Sequence, residues 1–144
     1  MKGNNMDALY TAEALSYGQG REGRVNTVDG QLDLTMSAPK ELGGSGAGNN
    51  PDQLFAAGYA ACFHSALNSV ARSRKIKLED TTVGGKVYLL REGQGFKLAV
   101  ELEVVIPEME HEAAQELADA AHQVCPYSNA TRGNIDVTVT VTDD

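Results

Sequence analysis

The sequence has few basic residues, no long apolar run and only two cysteines, and each shortage excludes some classes of partner, location or site. Its 12 Lys and Arg stand against 20 Asp and Glu, a net charge of -8. Nucleic acids and anionic membranes attract basic surfaces, so neither is expected as the main partner. The longest apolar run, residues 54–63, is about half of a membrane span, and residues 1–14 contain no run of signal-peptide length. We therefore expect a soluble, cytoplasmic protein, in which a permanent disulfide would be unusual.

The order of predicted elements indicates an α+β fold. With 144 residues, 42% of them hydrophobic, the chain can bury a real core, and we expect residues 1–144 to form a single domain. The predicted elements are a strand at 8–15, a β-hairpin at 24–37 around Asp29-Gly30, a helix at about 51–74, strands at 83–90 and 96–106, a helix at 110–125 and a strand at 135–142. Sheets and helices are segregated along the chain, which is typical of the α+β class.

The first predicted helix has a clear start and an unusually apolar surface. Asn50 can cap it, Pro51 suits its first position, and Gln53 can complete a capping box. The segment is apolar nearly all round as far as Leu67, which predicts a buried central helix with antiparallel sheets around it. Such a helix in a chain of this size requires a wrapped sheet or a second subunit.

The two cysteines occupy different predicted settings. Cys62 lies inside the apolar helix, where an unreactive packing role is common. Cys125 precedes Pro126 at the predicted end of the second helix, a place that is usually partly exposed. The sequence separation does not exclude a reacting pair, because a central helix can meet the end of another helix in space. His122 is a candidate base for Cys125, or simply a surface residue on a polar helix face.

Two other site types are disfavoured by spacing. A zinc site would use Cys62, His64, His122 and Cys125, but residues two apart on a helix point about 200° apart. At most three of the four could converge, which a closed structural site does not accept. The glycine-rich loop at 43–50 lacks the sequence pattern of a phosphate-binding loop. We therefore expect neither a zinc site nor a phosphate-binding loop.

Several segments together resemble one known family. PDQLFAAGYAACF at 51–63 and HQVCPYSNATRGNIDV at 122–137 resemble the organic hydroperoxide resistance (Ohr) proteins of the OsmC superfamily. GREGR at 20–24, APKELGG at 38–44 and GF at 95–96 extend the likeness over nearly the whole chain. The resemblance implies the OsmC-like fold as an intertwined homodimer.

The resemblance also implies a thiol-dependent peroxidase that needs no metal and no bound cofactor. Cys62 would be the peroxidatic cysteine, which attacks the O–O bond and becomes a sulfenic acid. Cys125 would be the resolving cysteine, which condenses with that acid to a transient intramolecular disulfide. The implied substrates are organic hydroperoxides, including lipid-derived ones, and the implied reductant is a lipoylated protein or dihydrolipoamide.

The family pattern assigns two further residues. Arg21 would supply the cation that a thiolate at Cys62 needs in apolar surroundings, and Asp52 would hold that arginine. The family's usual residue at position 52 is glutamate, which is one methylene longer. Asp52 and Cys62 are ten residues apart, roughly 15 Å along a straight helix, so either Arg21 spans the gap or a second subunit contributes.

A second function class stays open at this point. The shorter carboxylate at Asp52 raises a non-catalytic redox sensor or binding module on the same fold. The side chains of Phe55, Phe63, Phe96 and Tyr127 are candidate pocket walls, although core packing is the commoner fate of a phenylalanine.

Overall fold

The structure, a computed structural model, describes residues 7–143. The chain divides into a first unit that ends at Pro51 and a second unit that begins at Asp52. The expectation of a single domain over residues 1–144 stays a prediction. Within residues 7–143, no helix has the length and apolar character needed to cross a membrane.

The first unit contains a three-stranded antiparallel sheet. Its strands are β1 (Ala14–Tyr17), β2 (Arg24–Thr27) and β3 (Asp33–Thr35), in that spatial order. The predicted hairpin is confirmed, and Gly30 in its turn has the positive φ, 79°, that glycine adopts without strain. The strand predicted at 8–15 is misplaced, because the four residues of β2 pair with Ala14 to Tyr17 and fix β1 there.

The second unit contains a long helix, a sheet and two shorter helices. Helix α1 (Pro51–Ser73) leads to the hairpin of β4 (Thr82–Glu92) and β5 (Gly95–Val105). Helices α2 (His111–Val124) and α3 (Pro126–Thr131) follow, and β6 (Val137–Val141) ends the described chain. The α+β class is confirmed, and α3 is an element that the sequence pattern missed.

The sheet of the second unit is mixed, whereas the sequence predicted antiparallel sheets. Its order is β4-β5-β6, with β4 and β5 antiparallel but β5 and β6 parallel. The reason is the connection: α2 and α3 carry the chain from the end of β5 back to its beginning, and a helical crossover of this kind joins parallel strands.

The core of the second unit lies between one sheet face and the helices. Alternate residues of β5 are buried: Val100, Leu102 and Val104. They belong to the same buried cluster as Tyr59, Phe63 and Leu67 of α1 and Leu117 of α2. The inner stripe of α2 is Ala114, Leu117, Ala118 and Ala121. Ala113 and Val124 of the same helix are exposed.

Candidate active site

The two cysteines meet inside the second unit although 63 positions separate them in sequence. Cys62 lies in the middle of α1, and Cys125 lies between α2 and α3. Their sulfur atoms are 3.6 Å apart, with the Cys125 thiol donating to the Cys62 sulfur, and both are free thiols. The prediction that a central helix could meet the end of another helix in space is thus confirmed for this pair.

The exposure of the two thiols is the reverse of what the sequence suggested. Cys125 is completely buried, whereas Cys62 is only partly buried. The cause is α3, which begins at Pro126, directly after Cys125. Proline suits the first turn of a helix, so a second helix begins directly after the end of α2. Tyr127 then faces outward, and Cys125 is enclosed in the core.

The surroundings of Cys62 favour its neutral form. Partial burial raises the pKa of the Cys62 thiol, and the neighbouring Cys125 thiol raises it further. A hydrogen bond from the backbone N–H of Tyr127 acts in the opposite direction and lowers this pKa. The net shift is upward, as expected for a thiol in an apolar helix. A thiolate at neutral pH therefore needs an additional positive group.

A buried hydrogen-bond network lies beside the cysteine pair. The hydroxyls of Tyr59 and Ser128 are 2.9 Å apart, and both residues are completely buried. The Ser128 hydroxyl is also 2.7 Å from Nδ1 of His122, and the Tyr59 hydroxyl is 3.1 Å from that of Thr131. The network joins α1, α2 and α3. Sequence reasoning missed Tyr59 and Ser128; their only signal is that each lies three residues from a cysteine.

His122 is half-buried, which differs from the surface placement that its helix face suggested. Burial lowers the pKa of His122, and the nearby charge of Arg132 lowers it as well, while Asp119 acts weakly in the other direction. Its Nδ1 atom is engaged by Ser128. Its described hydrogen-bond partner is therefore a member of the network and not Cys125.

Aromatic rings surround the outer side of the pair. Phe55 and Tyr127 are stacked with ring centroids 6.2 Å apart, and Tyr59 lies 5.6 Å from Tyr127. Gly58 makes room for this arrangement, because a Cβ atom there would lie 3.2 Å from the Tyr127 hydroxyl oxygen. Of the other candidate pocket walls, Phe63 is a core residue, and Phe96 lines a groove of about 650 Å³ that also touches Phe55.

The two charged candidates lie in different units. Arg21 is exposed in the turn between β1 and β2. That turn depends on Gly23, since a Cβ atom there would collide with the carbonyl oxygen of Tyr17. Asp52 is half-buried in the first turn of α1, where the helix dipole favours a carboxylate. The pairing of Arg21 with Asp52 stays a prediction.

The histidine nearest to Cys62 in sequence has another partner. Nε2 of His64 is 2.7 Å from the hydroxyl of Thr81. Across the described residues 7–143, no group of three or more His, Cys, Asp or Glu side chains is arranged to hold a metal ion.

Comparison with known proteins gives a consistent set of relatives. The family described as OsmC-like protein matches residues 43–140. An organic hydroperoxide resistance protein of Xanthomonas axonopodis pv. citri is 53% identical over 135 residues, 92% of this chain and 94% of its own. The organic hydroperoxide resistance protein OhrB of Bacillus subtilis is 46% identical over 132 residues, 90% of this chain and 96% of its own.

A solved structure agrees in fold. The crystal structure of an organic hydroperoxide resistance protein from Legionella pneumophila superposes with a TM-score of 0.89 at 50% sequence identity. The match covers 94% of this chain and 99% of that one.

Proposed function

This chain belongs to the OsmC family, among its organic hydroperoxide resistance proteins, and from that premise we propose that it is a thiol-dependent peroxidase acting on organic hydroperoxides. The observation that carries the proposal is the pair of free thiols 3.6 Å apart, one accessible and one enclosed. No other cysteine exists in the chain, so a cysteine-based cycle has to use these two.

The chemistry proceeds in two balanced steps. The Cys62 thiolate attacks one oxygen of the O–O bond, the alkoxide leaves and takes a proton, and the products are an alcohol and a Cys62 sulfenic acid. The Cys125 sulfur then attacks the Cys62 sulfur. The S–O bond breaks, the leaving hydroxide takes up the Cys125 thiol proton as water, and a disulfide joins the two residues.

The exposure of each thiol supports this division of roles. A peroxide has to approach the first thiol from outside, and Cys62 is the one that is partly exposed. The second thiol has only to reach the sulfenic sulfur, and the fully buried Cys125 already contacts it. Burial also protects Cys125 from direct oxidation, because susceptibility of a thiol follows its exposure.

Arg21 is proposed as the group that stabilises the Cys62 thiolate, with Asp52 as its positioning carboxylate. The upward pKa shift of Cys62 supports the need for a cation. The other arginine of the GREGR segment, Arg24, is already held by Asp33 in two hydrogen bonds of 2.8 and 2.7 Å. That engagement favours Arg21 over Arg24 for the role.

A homodimer and a lipoyl reductant complete the proposal. Helix α1 carries a stripe of exposed, mostly small residues opposite its buried face, and β4 forms one edge of its sheet; both are surfaces that a second subunit can cover. The exposed stripe consists of Gln53, Ala57, Ala61, Ser65 and Ser69. A dihydrolipoamide group, free or protein-bound, would reduce the disulfide by exchange. A cytoplasmic location also belongs to the proposal.

Steady-state turnover tests the proposal. Wild type and Cys62→Ser are assayed with tert-butyl hydroperoxide and with hydrogen peroxide, using dihydrolipoamide and then thioredoxin with its reductase. The expected result is Cys62-dependent turnover, faster with the organic peroxide and with the lipoyl dithiol. If neither peroxide is consumed and both thiols stay free by mass, the sensor or binding alternative replaces the peroxidase. Light scattering at micromolar protein tests the dimer, which a monomeric mass would refute.

A further inference from the structure

The buried network lies beside the joint between α2 and α3, which consists of Cys125 alone. Cys125 is the only residue between α2 and α3: its N–H donates to Ala121 of α2, and its carbonyl accepts from the N–H of Asn129 in α3. Its own backbone is extended, with φ -64° and ψ 126°. The position of its sulfur therefore depends on the angle between the two helices.

Ser128 connects the elements on either side of this joint. Its hydroxyl contacts Nδ1 of His122 on α2 at 2.7 Å and the hydroxyl of Tyr59 on α1 at 2.9 Å. His122 and Ser128 lie three residues before and after Cys125, and Tyr59 lies three residues before Cys62. Tyr59 and Cys62 share a face of α1 because they are three residues apart on one helix. His122 and Ser128 lie in the helical turns on either side of the extended Cys125, so one hydrogen-bonded group ties together the segments that carry both sulfurs.

The hydrogen bonds of this group are mutually consistent. The Thr131 hydroxyl donates to the carbonyl oxygen of Ser128 at 3.2 Å. If donation runs from His122 to Ser128, on to Tyr59 and then to Thr131, every donor in the group has one acceptor. Removing a single hydroxyl leaves a buried polar partner unsatisfied, and such a partner is costly enough to drive local rearrangement.

We propose that the Tyr59–Ser128–His122 network is a positioning device for the resolving step: it holds the Cys125 sulfur against that of Cys62, and so limits the lifetime of the Cys62 sulfenic acid. The proposal rests on the proposed peroxidase function and adds residues that act through Cys125. The attack of peroxide on Cys62 does not need the network, whereas disulfide formation does. A long-lived sulfenic acid meets further peroxide and becomes a sulfinic acid, so the network also guards Cys62 against overoxidation.

The test separates the two chemical steps in three variants. Ser128→Ala removes the central hydroxyl, and Tyr59→Phe removes one hydroxyl while keeping the aromatic ring and its packing. Thr81→Val is the matched control, because it removes a hydroxyl that is hydrogen-bonded to α1 through His64 but does not belong to the network. Reduced proteins are mixed with one equivalent of tert-butyl hydroperoxide, quenched over time, and sorted by mass into thiol, dimedone-trapped sulfenic acid and disulfide.

The expected result is selective. Loss of the fully reduced protein, which reports the attack on peroxide, proceeds within about twofold of wild type in all three variants. Disulfide formation slows about tenfold or more in Ser128→Ala and to a smaller extent in Tyr59→Phe. With excess peroxide, sulfinic acid accumulates in those two variants and not in Thr81→Val. Disulfide formation at the wild-type rate in both network variants would overturn the inference. An equal loss in both steps would overturn it too, since that marks general destabilisation.

A second measurement keeps this inference separate from the peroxidase proposal. The dithiol–disulfide equilibrium of Cys62 and Cys125 in reduced and oxidised glutathione reports how well the two sulfurs are placed, without any peroxide. We expect Ser128→Ala to shift this equilibrium about tenfold toward the dithiol. If wild type does not consume peroxide but Ser128→Ala shows this shift, only the peroxidase proposal is contradicted. If the equilibrium does not shift, the positioning role is contradicted.

Discussion

Cys62 and Cys125 are in contact, yet their surroundings differ in almost every respect. Cys62 lies in the uninterrupted 23-residue helix α1, is partly exposed, and has a raised pKa. Cys125 lies at a joint between two helices and is completely enclosed. The accessible position in a long helix suits the thiol that meets substrate, whereas the enclosed joint suits a thiol that meets only its partner sulfur, which it already contacts.

Exchanging either thiol for a hydroxyl should have the largest effect on peroxide consumption, and a different one for each cysteine. Cys62→Ser removes the nucleophile, so peroxide consumption should fall by about 10³-fold or more. Cys125→Ser should still consume one equivalent of peroxide and then stop at a sulfenic acid. Stopped-flow consumption assays with mass analysis check both outcomes. Equal behaviour of the two variants would remove the distinction between the thiols.

Removing the proposed cation tests why Cys62 can react despite its raised pKa. Arg21→Ala should slow the first step by about 10- to 1,000-fold at neutral pH, since an opposite charge shifts a pKa by one to three units and each unit changes the thiolate fraction about tenfold. Because the lost cation raises the Cys62 pKa further, the rate should be recovered at higher pH. A pH–rate profile measures this shift.

Arg24→Ala is the matched control for that experiment. Arg24 lies in the same GREGR segment, but it pairs with Asp33 in an exposed ion pair. Such pairs contribute little to stability, so its profile should follow that of wild type. An Arg21→Ala profile that also matches wild type would exclude the proposed role of Arg21.

Lengthening the carboxylate at position 52 has a smaller expected effect. Asp52→Glu restores the methylene that is usual in the family, so the first-step rate should stay the same or rise by a few fold. Asp52→Asn, with the same shape and no charge, should lower it. Rates measured at fixed pH decide the matter, and a large loss in Asp52→Glu would mean that this site is built around the shorter side chain.

Filling the space at Gly58 gives the smallest expected effect. Gly58→Ala places a Cβ 3.2 Å from the hydroxyl oxygen of Tyr127, at the far end of a side chain that can shift by a few tenths of an ångström. Alanine is about 1 kcal/mol more favourable than glycine inside a helix. We expect the free energy of unfolding to rise by less than about 1 kcal/mol and the first-step rate to change little. Chemical denaturation measures the former; a clear loss of stability would mean that Tyr127 is held rigidly.

The same contrast shows how far the sequence alone could lead. The start of α1 at Pro51 and the hairpin around Gly30 depend on local turn and capping chemistry, and both were predicted. The exposure of the two thiols was predicted in reverse, because it depends on α3 closing over Cys125. Six residues that begin with a proline carry too weak a pattern to reveal such a helix. The parallel pairing of β6 likewise follows from where α2 and α3 return the chain.

The candidate site shows a similar division. Cys62 and Cys125 were found through their scarcity and the motifs around them, and the structure brings them together. The roles of Tyr59 and Ser128 were not visible, because a tyrosine in an apolar helix and a serine after a proline are ordinary residues. Only the long-range contact of α1 with α3 turns them into one hydrogen-bonded group.

The most direct test of the proposed Cys62–Cys125 cycle is the mass of the protein after treatment with one equivalent of tert-butyl hydroperoxide. For wild type we expect the loss of two hydrogens, and after proteolysis a single disulfide-linked peptide pair that contains Cys62 and Cys125. For Cys125→Ser we expect a sulfenic acid at Cys62 that dimedone traps. Wild-type protein that keeps two free thiols while the peroxide stays unconsumed would contradict the proposed cycle.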